Sequence, residues 1–417
     1  MPSGVSALYP IFPPETRELR IVAEIQMSNF PVDASKLTPE YFDGLTGQSQ
    51  MLVTELIPSG EQFQMQQTVV EMVRDIAARV FPGCVAHHDG LMATGFDLPH
   101  MDLDICLSLP CTTLEYMADM SLCIEKLGNA LKRAGMRDVR MMNRSRVAIC
   151  RMRDPITGLG CDISFHGGIP FQSLRLMQAY LSIDPRLQDI VLVVQFWAKC
   201  RCINEPQFGT LSSYCLMIMI VHVLQLRGVL PCLQTIYGAA QIGGVNCDEL
   251  GDGQEWIFES LAYLPQVWTC SNTESVGELI VAFFKYYACE FPYVHGVASV
   301  RCGRVLSKEE KCWTKQEHGQ GPQNKDRYWF CIEDPVEYTV NIGRAVDKDT
   351  LYEIRGEFIR ASKILCVGPN HPNDSVLARV CERISGPGKR MMGQPTQGPA
   401  APVFKPKPYM MAFLPPK

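Results

Sequence analysis

No apolar run in these 417 residues is long enough to cross a bilayer. The richest stretch, Leu211 to Leu226, carries Ser212, Ser213, His222 and Gln225 and reads as a buried helix, so no membrane role is expected. An excess of basic charge is missing too. Lys and Arg number 39 against 44 Asp and Glu, leaving a net charge of −5. That balance excludes a protein that coats nucleic acid through bulk charge, so any such contact must be local. The 18 cysteines lack CxxC pairs or a compact framework. A disulfide-stapled secreted scaffold is thereby excluded, and reduced thiols are the default. Cys84 with His87 and His88, and Cys302 and Cys312 with His318, miss the standard zinc spacings, so structural zinc is not expected. The opening residues, MPSGVSALYPIFPPETRELR, show neither an apolar signal core nor an Arg-rich, acid-poor amphipathic pattern, and encode localisation poorly.

Hydrophobic residues at 47% and charged residues at 20% give the balance of an ordinary globular enzyme. The length suggests two domains around a shared cleft. Residues 1–58 are Pro-containing and weakly periodic, and read as an extension packing on the core. From Glu61 to Val80 a stripe of Val69, Val70, Val73, Ile76 and Val80 predicts a helix closed by Pro82 and Gly83. Met101 to Leu109 alternates like a strand, Leu114 to Ala134 is helical, and Val139 to Met142, Val147 to Met152 and Gly160 to Phe165 read as further strands. Residues 59–170 thus form an α/β unit. Residues 171–385 are mostly helical, with helices predicted over Leu174 to Leu181, Leu187 to Cys200, Ser212 to Leu226, Val276 to Tyr287 and Leu351 to Leu365. Residues 386–417 contain GPGK, GQPTQGPAAP and KPKP without an acidic residue, and read as a flexible basic tail.

In Met101-Asp102-Leu103-Asp104-Ile105 the strand period of two places both carboxylates on one face. Two converging oxygen donors suit Mg²⁺, which binds carboxylate and phosphate oxygens while keeping some water. The segment from Gly90 through Thr94-Gly95, Leu98-Pro99 and Asp102-Leu-Asp104 resembles the GS…TG…LP…SDxD signature of polymerase-β-type nucleotidyltransferases. Cys161-Asp162-Ile-Ser-Phe165 looks like that family's third-carboxylate strand. Phe196-Trp-Ala-Lys199, Gly209-Thr-Leu-Ser-Ser-Tyr214, Ile332-Glu-Asp-Pro335 and Arg355-Gly-Glu-Phe358 are similar to the noncanonical poly(A) polymerase and terminal uridylyltransferase branch, from about Val80 to Leu365. The resemblance implies an α/β palm domain with a mixed sheet, a mostly α-helical second domain, and an active site in the cleft between them. It also implies Asp102, Asp104 and Asp162 holding two Mg²⁺ or Mn²⁺ ions, and in-line attack of an RNA 3′ hydroxyl on the α-phosphate. Gly90 and Leu91 would approach the triphosphate through backbone amides. Leu91 replaces the usual Ser or Gly, and Gln195 a second lysine, leaving Lys199 as the main cation.

For the nucleotide, the resemblance assigns stacking to Tyr214, a phosphate contact to Ser213, a ribose contact to Ser173 in place of the usual Asn, and uracil-edge recognition to Asp334 and Glu337. A carboxylate acceptor favours uracil, whose N3 is a donor that cytosine lacks. Arg344 orients this loop, meets RNA phosphate, or makes a structural salt bridge. Val340 stands near where many relatives carry a His, which removes one device against adenine. The implied partners are UTP, an RNA 3′ end rather than DNA, and an RNA-processing protein complex. The pattern is closest to the minimal trypanosome uridylyltransferases, which implies a mitochondrial location, with the cytoplasm as the alternative. An ATP-using poly(A) polymerase and a catalytically weak RNA-binding relative are the alternative functions.

Overall fold

The stretch before residue 58, weakly periodic by sequence, holds a helix, α1 (Pro39–Leu56). Thr38 caps it by accepting from Tyr41 N, and Pro39 occupies the first turn, where its missing N–H costs nothing. Leu45, Leu52, Val53 and Leu56 bury one face against the helical core. The approach is close because residue 277 is glycine: a Cβ there would lie 2.5 Å from the Phe42 carbonyl. Gly277 N also donates to Thr46 Oγ1 at 3.0 Å. The computed structural model describes residues 37–88, 103–109, 120–142, 149–165, 169–240, 261, 264–314, 328–369, 371 and 374–384. Asp102, the Gly90–Leu91 loop and the 386–417 tail lie outside them.

Helix α2 (Gly60–Val80) starts at a capping box in which Ser59 and Gln62 exchange hydrogen bonds. Its Val69, Val70, Val73 and Ala77 face a second core shared with the sheet. Strands β1 (Val85–His88) and β2 (Leu103–Ser108) are followed by α3 (Met120–Arg133), β3 (Arg137–Met142), β4 (Ile149–Arg153) and β5 (Gly160–Phe165). The order is β1-β2-β5-β4-β3, antiparallel except for the parallel β2/β5 pair, so the sheet is mixed. Leu103, Ile105, Leu107, Cys161, Ile163 and Phe165 fill its buried face.

Helix α4 (Ile169–Ile183) follows β5 directly and opens the helical half: α5 (Arg186–Cys200), α6 (Ser213–Leu226), α7 (Leu233–Ala240), α8 (Val276–Lys285), α9 (Lys348–Val367) and α10 (Val376–Val380). Trp197 is wholly buried between Phe284 and Phe358, with ring centroids 4.7 and 5.0 Å away. The helix expected to reach Tyr287 ends at Lys285 and widens into a π turn over Tyr286–Glu290. A hairpin that the sequence reading did not anticipate, β6 (Gly296–Ser299) and β7 (Arg304–Ser307), carries the segment 328–346 on one side through an Ala298–Ile332 bridge. No disulfide joins the described cysteines. Among the described residues no helix is long and apolar enough to cross a membrane.

Candidate active site

The parallel β2/β5 register sets Asp104 beside Asp162, flanked by the Leu103/Cys161 and Ile105/Ile163 pairs. Two of the three predicted carboxylate positions are therefore neighbours on adjacent strands; the third, Asp102, lies outside the described residues. Carboxylates supply the hard oxygen donors that a divalent ion of the Mg²⁺ type takes, so two neighbouring acidic positions fit such an ion. Among the described residues alone no three metal-binding side chains converge.

Asp162 has a partner that the sequence reading missed. Strands β4 and β5 turn back at Asp154-Pro-Ile-Thr-Gly158, where Asp154 Oδ2 accepts from Thr157 N and Oγ1, each at 2.7 Å. That turn fixes Arg151 opposite Asp162. The guanidinium donates to both carboxylate oxygens, Nε at 2.6 Å and the terminal nitrogen at 2.5 Å. This fork geometry holds the carboxylate plane in one orientation. The signal was the turn: residues equidistant from it face one another across a hairpin.

Ser173 on α4, Tyr214 on α6 and Asp334 from the 328–346 segment come together in the helical half. The Tyr214 phenol lies beside Ser173 and Asp334, and burial, followed by the Asp334 charge, holds its pKa well above the ordinary tyrosine value. Its oxygen is inaccessible and meets no partner in full hydrogen-bond geometry. Burial also raises the Asp334 pKa, against the opposing hydrogen bonds from its own loop. Asp334 Oδ1 accepts from Val336 N at 2.8 Å and Glu337 N at 2.9 Å. Asp334 thus shapes the turn, whereas Glu337 is exposed at its tip.

The ends of that loop are pinned by two buried residues. Asn341 Oδ1 accepts from Ile332 N at 2.9 Å and Gly343 N at 3.0 Å, and its Nδ2 donates to Phe330 O at 3.0 Å. Glu333, fully buried, accepts from Ser299, from Arg301 at 3.2 Å and from Lys311 at 2.6 Å. Lys311 also donates to Tyr338 O at 2.6 Å, tying the charge cluster to the loop tip. No short-range motif marks Arg301 and Lys311, because both come from the hairpin region 22 to 32 residues earlier. Arg344 is half-buried, its backbone N–H closing the turn onto Asn341 O at 3.2 Å.

Ser213, the residue before Tyr214, donates from Oγ to Asn204 Oδ1 at 3.1 Å, and Lys199 Nζ donates to Asn204 O at 3.2 Å. Gln195, in place of a second lysine, is buried on α5 and carries no charge toward this site. Gly209, with φ +84°, turns the chain between α5 and the Ser212-capped start of α6; a side chain there would be strained and would press on Ala345 O.

A mixed sheet with paired acidic positions, joined to a helical half that supplies an aromatic ring, a lysine and a serine, defines a nucleotidyltransferase class of fold. Residues 45–182 match the family model described as "Poly(A) RNA polymerase, mitochondrial-like, central palm domain", and residues 275–339 that of "Cid1 family poly A polymerase". The terminal uridylyltransferase cid1 of Schizosaccharomyces pombe is 29% identical over 75% of this chain and 76% of its own. The poly(A) RNA polymerase GLD2 of Danio rerio is 28% identical over 69% of this chain and 55% of its own. A solved structure of Cid1, described for its RNA terminal uridylyl transferase activity, superposes with a TM-score of 0.66 at 26% identity, covering 83% of this chain and 99% of that one. The chain is thus similar, in both its sheet-bearing and its helical half, to the terminal uridylyltransferases and noncanonical poly(A) polymerases, and shares their nucleotidyltransferase fold.

Proposed function

We propose that the protein is a template-independent RNA 3′-terminal uridylyltransferase, transferring UMP from UTP to an RNA 3′ hydroxyl. The hydroxyl oxygen attacks the α-phosphorus, the bond to the β-phosphate oxygen breaks, pyrophosphate leaves, and the hydroxyl proton passes to solvent. Asp102, Asp104 and Asp162 would hold two divalent ions. When bound, those ions favour ionisation of the hydroxyl and offset charge on the leaving group. Arg151 fixes the plane of Asp162 from the strand beside it. Lys199 and Ser213 face the phosphates, Ser173 the ribose, and Tyr214 stacks on the base.

The observation that carries the choice of uracil is the division of labour in the loop. Asp334 spends one oxygen on two backbone N–H groups, so the exposed carboxylate of Glu337 is presented at the tip as an acceptor for a base-edge donor. Uracil N3–H is such a donor and cytosine N3 is not. Glu337→Ala is therefore expected to lower the UTP:CTP preference by about 1 to 3 kcal/mol, measured by competition on one RNA primer, with little change in affinity for triphosphate in general. Asp334→Ala, which unfastens the turn, should weaken both nucleotides. An unchanged ratio in Glu337→Ala would place uracil recognition elsewhere. The second reading, an ATP-using poly(A) polymerase, draws on Val340, an apolar, half-buried side chain beside the same loop.

Stacking gives a separate expectation. Because the Tyr214 oxygen is buried without a well-formed hydrogen bond, Tyr214→Phe should keep UTP affinity nearly intact, whereas Tyr214→Ala should cost about 1 to 3 kcal/mol. Equal losses in a UTP titration of both variants would assign the contact to the phenol oxygen instead.

A further inference from the structure

Asn204 lies in the turn after α5 and is 2% exposed. Three of its groups are engaged at once. Its carbonyl oxygen accepts from Lys199 Nζ at 3.2 Å, its Oδ1 accepts from Ser213 Oγ at 3.1 Å, and its Nδ2 donates to Leu211 O at 3.0 Å. Lys199 stands on α5 and Ser213 on the first turn of α6, and Asn204 is the point at which the ammonium and the hydroxyl are tied together. We propose that Asn204 is the positioning residue that sets Lys199 and Ser213 as one unit for the triphosphate, an inference that rests on the nucleotide-transfer reading above.

The chemistry of the residue fits the task. A neutral amide offers a donor and an acceptor within one planar group. It can therefore grip Leu211 O and Ser213 Oγ together without placing a charge near an anionic ligand. The ammonium gives one of its three protons to the Asn204 carbonyl and keeps two for phosphate oxygens. The Ser213 hydroxyl is held in one rotamer, while its proton is free to swing from Asn204 Oδ1 to an arriving phosphate oxygen. Both groups are thus placed before the ligand arrives, which saves ordering entropy on binding. An aspartate would fit the same space, but would oppose Leu211 O, capture the ammonium and repel the triphosphate.

The test is displacement of a fluorescent UTP analogue from the full chain by UTP, inorganic tripolyphosphate and uridine. Asn204→Ala is expected to weaken UTP and tripolyphosphate about tenfold, with uridine unchanged and the melting curve still cooperative. Combined with Ser213→Ala, it should lose no more than about twofold beyond Ser213→Ala alone, because the two substitutions remove one shared contact. Asn204→Asp, which preserves shape, should lose still more with tripolyphosphate and again spare uridine. Equal losses for uridine and tripolyphosphate, or fully additive losses in the double variant, would make Asn204 a packing residue and overturn the inference. Undiminished tripolyphosphate binding in Asn204→Asp would overturn it as well, and does not depend on Asn204→Ala folding. A wild-type chain that binds no nucleoside triphosphate would overturn the proposed function itself, a result distinct from these.

Discussion

Asp162→Ala is expected to lower RNA extension about a thousandfold or more while leaving the fold intact. The magnitude follows from the role proposed for Asp162, as a ligand to divalent ions that would contribute several kcal/mol to the transition state, at about 1.4 kcal/mol per factor of ten. The fold should survive because the partner left behind, Arg151, has a side chain 43% exposed and regains water when the carboxylate goes. Strand β5 keeps Cys161, Ile163 and Phe165 in the core, and alanine at 162 leaves that face untouched. Single-turnover extension of a short RNA primer, with circular dichroism of the same preparation, checks both halves. Activity within about tenfold of wild type would remove Asp162 from the chemistry. Collapse of the fold would make it structural.

Glu333→Ala should produce the largest loss of stability, about 3 to 5 kcal/mol by urea unfolding. The carboxylate is fully buried and answers Arg301 and Lys311, whose side chains are each only 10% exposed. Removing it takes the counter-charge from two largely buried cations, which costs far more than the net worth of the pair. Glu333→Gln, which preserves shape and acceptor capacity, should lose less. Because Lys311 also holds Tyr338 O, the alanine variant should loosen the loop that carries Glu337, so its UTP:CTP preference should fall with its stability. A loss below about 1 kcal/mol would show that water reaches the cluster and compensates the cations.

The long apolar helices were legible because burial on one face imposes a 3.6-residue period. The expected Leu187 to Cys200, Ser212 to Leu226 and Leu351 to Leu365 lie within one to three residues of α5, α6 and α9. Helix α1 was not, because Gly44, Gly47, Gln48 and Ser49 dilute its stripe and its docking depends on a glycine more than 200 residues away. Strands β6 and β7 have four residues each, too few to show a period. At the site, Ser173, Tyr214 and Asp334 were readable from motifs, and the chain does bring them together. Arg151, Asn204 and the Glu333 cluster were not, since their roles come from hairpin register, a turn and contacts across the hairpin.

The most direct measurement is to incubate the purified chain with Mg²⁺, a short single-stranded RNA and each of the four nucleoside triphosphates separately, and to read the 3′ extensions on a denaturing gel. Extension with UTP well ahead of ATP, CTP and GTP, absent in Asp162→Ala, is the expected result. Extension with ATP ahead of UTP, or no extension with any nucleotide, would contradict the assignment of this chain as a uridylyltransferase.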